Sequence, residues 1–190
     1  MVTTHVTLSQ TVMSLPFFTI GHSTRSIPEF AQLLRAGEVA MVADIRTVPR
    51  SRTNPQYNLD TLPDVLAAYQ VDHTRIEALG GLRGRSRDVS PVVNGWWKNR
   101  SFHNYADYAL SEQFRQGLEE LTALGRDRRV AMMCSEAVWW RCHRRIVADY
   151  LLLRGEEVIH LMGTDRVESA TLTPAARPAS DGAITYPPSG

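Results

Sequence analysis

The sequence predicts an α/β fold: a single three-layer domain with a mostly parallel central sheet and helices on both faces. Three observations predict it. Short apolar runs alternate along the chain with amphipathic stretches of helical period. Two of those stretches open on helix-capping signals. The length of 190 residues, at 43% hydrophobic content, suits one ordinary globular core.

The elements follow in order. Residues 1–15, including "TTHVTLSQT", are polar without a clear period and are expected to form a flexible arm, with Met13 an alternative start to Met1. "LPFFTI" (15–20) is the first strand. Ser26-Ile27-Pro28-Glu29 then reads as a capping box with proline in the first turn. It opens a helix with Ile27, Phe30, Leu33 and Leu34 on one face, and Gly37 is placed to end it in a left-handed cap. "VAMVADI" (39–45) is the continuous apolar run expected of a strand covered on both faces, so the first unit is β-α-β. Thr61-Leu62-Pro63-Asp64 repeats the capping logic before a helix carrying Leu62, Val65, Leu66 and Tyr69, and "DHTRIEAL" (72–79) alternates as a strand. A longer helical stretch over 104–124, broken near Ser111, carries the stripe Phe114, Leu118, Leu121. "RRVAMMC" (128–134) returns to strand, 142–154 is helix ending at Gly155, and "EEVIHLM" (156–162) is the last strand. The domain is thus expected over 16–163. Residues 164–190 mix Pro, Ala, Ser and Gly with few large apolar side chains, which predicts a disordered tail.

Composition narrows the function classes. A formal charge of +1 excludes a globally basic nucleic-acid glove, and every cationic residue but Lys98 is arginine. Two cysteines are too few for a disulfide framework, the segment before Phe17 lacks a secretory pattern, and no run approaches the ~18–20 apolar residues of a membrane span. A soluble, cytoplasmic protein with reduced thiols and no membrane partner is expected.

In parallel sheets, ligands sit beyond the carboxyl ends of the strands. "GHST" (21–24), "DIRTVPRSRTNP" (44–55), "LGGLRGR" (79–85) and "CSE" (134–136) each follow a strand, so four polar clusters should share one rim. Two readings of Cys134 stand: a small buried core residue, or a nucleophile whose thiolate is favoured by arginines and a helix amino end. Glu136 either pairs with Arg141, Arg144 or a loop arginine, or serves as acid or base. Cys142-His143-Arg144 opens a helix whose amides, with the arginine fork, suit a phosphate or carboxylate. His22 is placed to orient Asp44 or to titrate near neutral pH.

Several sharper motifs fail. Six residues separate Cys134 from Arg141, against the five of a phosphatase-type phosphate loop, and no glycine permits the tight wrap. Cys134, Glu136, Cys142 and His143 lack the paired short spacing of a zinc site, so no metal ligands are assigned. "GGLRGR" carries neither dinucleotide nor phosphate-loop spacing, which leaves the cofactor unknown. "RGRSR" (83–87), near Trp96, Trp97, Lys98 and Arg100, is the one segment suited to unpaired bases.

"TIGHSTRSIPEFAQLL", "VADIRTVPRSRTNPQYN", "LGGLRGR", "FHNYADYALSEQFRQGLEEL" and "VAMMCSEAVWWRCHRRIVADYLLLRGEEVIHL" together resemble the signature blocks of the domain of unknown function 488 family, over about residues 17–162. The resemblance implies an α/β domain with its motif residues around one cleft, and it supplies no reaction. Those positions are His22, Asp44, Arg46, Pro49, Arg50, Ser51, Asn54, Pro55, Gly80, Gly81, Tyr105, Cys134, Glu136, Cys142, His143 and Arg144. Ser135 stands where the family often carries alanine, and the Trp139–Trp140 pair is bulkier than its pattern.

The leading expectation is an enzymatic or small-ligand cleft for a phosphate- or nucleotide-like anion. Arg46, Arg50 and Arg144 would hold the anion, and Glu136 with His22 or Asp44 would move protons. Cys134 would be nucleophile or floor, and Ser51, Asn54, Arg83, Tyr105, Cys142 and His143 would line the ligand site. The alternatives are a non-catalytic nucleic-acid-binding module, gripping through Arg83, Arg85 and Arg87, and a purely structural polar network.

Overall fold

The computed structural model describes residues 14–164 and 166–188. The expected arm, apart from residues 14 and 15, and the alternative start at Met13 lie outside the described residues. Five parallel strands, β1 (Phe17–Gly21), β2 (Met41–Asp44), β3 (Asp72–Arg75), β4 (Val130–Cys134) and β5 (Val158–Gly163), join an antiparallel edge strand, β6 (Arg166–Ser169). Their order across the sheet is β3-β2-β4-β1-β5-β6. The helices are α1 (Ile27–Ala36), α2 (Leu62–Ala67), α3 (Arg100–Tyr108), α4 (Glu112–Gly125) and α5 (Arg144–Leu153).

Successive strand residues point to opposite faces, which divides the core in two. Phe17, Met41, Ala43, Val130 and Met132 pack with Phe114, Leu118, Leu121, Ile146, Val147 and Leu151 on the α3–α5 side. Phe18, Ile20, Val42, Ala131 and Met133 pack with Phe30, Leu34, Leu62 and Leu66 on the α1–α2 side. Each fully buried Leu, Ile or Phe contributes about 1.5–3 kcal/mol of transfer free energy, and both layers are built of them. β1 and β4 are neighbours, but the chain leaves β1 for one layer and β4 for the other. Such a divergence opens a crevice at the carboxyl ends of the strands.

Local chemistry accounts for most boundaries. Both halves of the Ser26–Glu29 capping box form, and the Ser111 side chain accepts from the Phe114 amide to start α4 where the helical stretch breaks. α3 begins earlier than expected, at Arg100, because Asn99 caps its first amides.

Four sequence expectations need correction. Gly37 is not left-handed (φ −94°), and Glu38 takes that conformation (φ 49°). Gly37 is needed for space instead, since a Cβ there would come within 2.9 Å of the Phe18 ring. Thr61 does not cap α2, because its hydroxyl turns to Asp60. The run 72–79 is strand only to Arg75 and then a tight turn over Glu77–Leu79, with Ile76 and Leu79 turned into the core.

The fourth concerns the expected tail. β6 pairs with β5, and β7 (Arg177–Pro178) pairs with β8 (Ile184–Thr185) as a small second sheet. The segment has few large apolar residues, but Ile184 and Tyr186 are wholly buried. Asp149 on α5 supplies the remaining anchor, accepting from the Thr173 amide and the Tyr186 hydroxyl, each at 2.8 Å. Composition counts apolar side chains and misses a buried carboxylate that ties a polar strand down. Among the described residues no helix is long and apolar enough to cross a membrane.

Candidate functional site

The crevice is held open by backbone. Gly21 faces Cys134 in the β1–β4 register, and the ladder continues beyond the strands, where the His22 and Ser23 amides donate to the carbonyls of Cys134 and Ser135 at 2.9 Å. A Cβ on Gly21 would lie 1.8 Å from the Glu136 carbonyl oxygen, so only glycine lets the 135–137 loop cross there. From the first turn of α5, the buried Arg144 donates to that same carbonyl at 2.6 Å. The loop is clamped from beneath, and the Glu136 side chain stands exposed.

Cys134 continues the parity of Val130 and Met132 and so faces the α3–α5 layer, where Cys142 and His143 meet it. Both thiols are free and buried. His143 Nδ1 lies 3.9 Å from Cys134 Sγ and 3.6 Å from Cys142 Sγ, while its Nε2 sits 3.0 Å from the Ile45 carbonyl. A carbonyl only accepts, so Nε2 is the donor in that contact, and in the tautomer with a single ring proton Nδ1 turns its lone pair to the sulfurs. Arg144 Nε donates to Cys142 Sγ at 3.2 Å. Burial alone would raise the Cys142 thiol, but the neighbouring Cys134 thiol and the Arg144 guanidinium outweigh it, and its pKa falls below the ordinary thiol value. Cys134 is pushed up, first by sharing its proton with Cys142 and then by burial. Cys142 is therefore the more acidic thiol of the pair and Cys134 the less acidic.

A cleft of about 380 Å³ opens over these three residues, walled by Phe102, Glu136 and Arg141. It shares that wall with an adjoining hollow of about 600 Å³ bounded by Trp96, Trp97, Lys98 and Trp140. Arg141 is exposed and has no ion pair among the described residues.

The opposite side of the rim is built differently. Asp44 keeps the parity of Val42 and faces the α1–α2 layer, wholly buried. Arg46 grips it with Nε at 2.8 Å and Nη2 at 2.6 Å, and donates also to the Tyr57 carbonyl and to His22 Nε2. His22 donates from Nδ1 to the Ser23 carbonyl and stacks on Tyr57 at 4.2 Å. Burial, aided by Arg46, pushes its pKa down to about 4 against the Ser23 hydrogen bond, so it is neutral at pH 7. Burial would raise the Asp44 carboxyl, but the hydrogen bonds and charge of Arg46 overrule it and hold it low, with His73 Nε2 a further 3.8 Å contact. A further hollow of about 460 Å³ is lined by His22, Arg46, Arg50, Ser51, Asn54 and Glu136.

The expected roles sort accordingly. Asp44 and His22 both hold Arg46. Arg46 and Arg144 donate to protein acceptors, and Arg46 also lines the cleft and the hollow beside it. Arg50 is the reverse case, 76% exposed with Asp60 3.7 Å away. Ser51 and Asn54 fasten their own turn, the Asn54 amide donating to Ser51 Oγ. Arg83 donates to the carbonyls of Glu77, Ala78 and Gly80 and lies 3.6 Å over the Tyr108 ring. Tyr105 is buried beneath the floor, donating to the Leu79 carbonyl with His143 against its ring. Among the described residues Glu136 makes none of the ion pairs weighed from sequence, and Arg144 donates to its backbone carbonyl. Arg141 and Phe102 were not singled out as site residues, and no local motif marks them.

No curated protein and no solved structure matches the chain. A family model described as "Domain of unknown function DUF488" matches residues 26–151, a span that includes α1 through most of α5 and the floor residues Cys134, Cys142 and His143. The chain belongs to the DUF488 family.

Proposed function

We propose that the protein is a cytoplasmic enzyme acting on a small anionic molecule with a flat unsaturated group, nucleotide-like in chemistry. The supporting observation is the continuous groove formed by the two hollows that share Phe102, Glu136 and Arg141. Its closed end carries sulfur and imidazole, its middle an unpaired guanidinium, and its far end the indoles of Trp96 and Trp140. Volumes of this size suit small ligands. Arg141 supplies the charge that Arg46 and Arg144 do not, and the aromatic wall supplies area for a planar group. Among the described residues Glu136 is the one carboxylate lining either hollow, and it is the acid or base of the site. The Cys142 sulfur is the electron-rich centre toward which the ligand's reacting atom points. The nucleic-acid alternative is weaker, because Arg83 is engaged and Trp97 is buried against Phe102.

Thermal unfolding across a library of nucleotides and phosphorylated metabolites tests this. A ligand at a hundred times its Kd stabilises the fold by about 2.7 kcal/mol, and the gain should vanish in Arg141→Ala. A library without a single stabilising compound, or a shift that survives Arg141→Ala, would refute the proposal.

A further inference from the structure

We propose that Cys134, Cys142 and His143 form a binding site for a soft divalent cation of the zinc class, with a fourth coordination position open to the cleft. The inference rests on reading this floor as the reactive end of the groove, and adds what that end holds.

Geometry carries it. Zn–S bonds of about 2.3 Å and Zn–N bonds of about 2.0–2.1 Å at tetrahedral angles place a sulfur about 3.6 Å from a nitrogen and about 3.8 Å from a second sulfur. Nδ1 of His143 lies 3.6 Å from one sulfur and 3.9 Å from the other, close to the first spacing, and the three donor atoms fall within 4.8 Å of one another, so the two sulfurs would close by up to about 1 Å on a bound ion. Spacing along the chain argued against such a site because it looked for paired ligands. The triplet comes instead from the end of β4 and the turn into α5.

The surroundings orient the donors as a metal requires. The Ile45 carbonyl takes the Nε2 proton and fixes the tautomer that leaves Nδ1 bare, the usual second partner of a ligating histidine. Arg144 donates to the Cys142 sulfur and, through the Glu136 carbonyl, fastens the loop that follows Cys134. A Cβ on Gly81 would fall 2.4 Å from His143 Nδ1, so glycine keeps the space beside that nitrogen clear.

Two sulfurs and an imidazole select zinc, iron(II) or cobalt(II) over magnesium or calcium, which prefer oxygen. Three protein donors at the bottom of a cleft, with Glu136 on its wall, resemble a catalytic rather than a closed structural centre.

The test uses the full-length reduced protein, stripped by chelation and titrated with cobalt(II), then zinc(II). One equivalent of cobalt should give thiolate-to-metal charge-transfer absorption and the strong visible bands of a four-coordinate ion, and zinc should erase both. Cys142→Ser, Cys134→Ser and His143→Gln should each weaken binding at least tenfold while unfolding shows them folded. If a variant does not fold, thiol alkylation of the wild type decides, because stoichiometric zinc should protect both cysteines. Absence of charge-transfer absorption in folded wild type, affinity unchanged in Cys142→Ser, or thiols unprotected by zinc would overturn the site. Because no organic ligand is added, a failed ligand library leaves this result standing, and the reverse also holds.

Discussion

The two halves of the rim lie side by side and use similar residues, yet they solve opposite problems. On the α1–α2 side, Asp44, Arg46, His22 and Tyr57 close on one another: the guanidinium binds a carboxylate, a carbonyl and an imidazole. On the α3–α5 side, Cys134, Cys142 and His143 converge without closing, and Glu136 and Arg141 face the cleft above them. Burial does not separate the halves, and neither does residue type. What separates them is whether the donors and acceptors are consumed by the protein. A consumed network supports the fold, whereas converging atoms left unconsumed invite a ligand.

The largest expected effect falls on the closed half. Asp44→Ala leaves Arg46 buried and uncompensated, which should cost about 3–5 kcal/mol in urea unfolding. A loss below 1 kcal/mol would mean that the network is not closed. Acid probes one buried histidine on each side of the sheet next. His22, and His160 stacked on Trp139, both have pKa values lowered to about 4, chiefly by burial. The unfolded chain takes these protons first, so stability is intact above about pH 6.5 and falls toward pH 4, by on the order of 2–3 kcal/mol per histidine. Asp44, with its lowered value, adds a further loss only at still lower pH. Unfolding free energy flat from pH 7 to 4 would contradict this.

The open half is probed by reactivity. In chelator-treated protein Cys142 should alkylate at least tenfold faster than Cys134, with a pH–rate inflection below the ~8.5 of a free thiol. Mass mapping that finds equal rates would contradict this ordering of the two thiols. The smallest effect sharpens the contrast: Glu136→Gln and Arg141→Ala should each change stability by less than about 0.5 kcal/mol. A loss of several kcal/mol from either would place it in a closed network like that of Arg46.

Much of this architecture is legible in the chain. Apolar runs mark the strands of the parallel core, the Ser26 and Ser111 caps mark helix starts, and the loop rule puts His22, Asp44 and Cys134 at one edge. Strand parity even assigns Asp44 and Cys134 to opposite faces. The folded end of the chain was not legible, because its anchor is the Asp149–Tyr186 contact across 37 residues, which composition cannot register. Arg141 and Phe102 were missed for a related reason: an exposed arginine and a half-buried phenylalanine look the same in sequence wherever they lie.

Pattern and period along the chain determined the layers, the sheet's parallel core and the edge where polar loops gather, since these follow from local backbone preference and alternation. Tertiary structure alone decided which of those polar atoms are spent. His143 is set by a carbonyl 98 residues away, and Arg46 reaches His22 across 24. Hydrogen bonds are short and directional, so partnership is settled by angstroms in space that no spacing along the chain encodes.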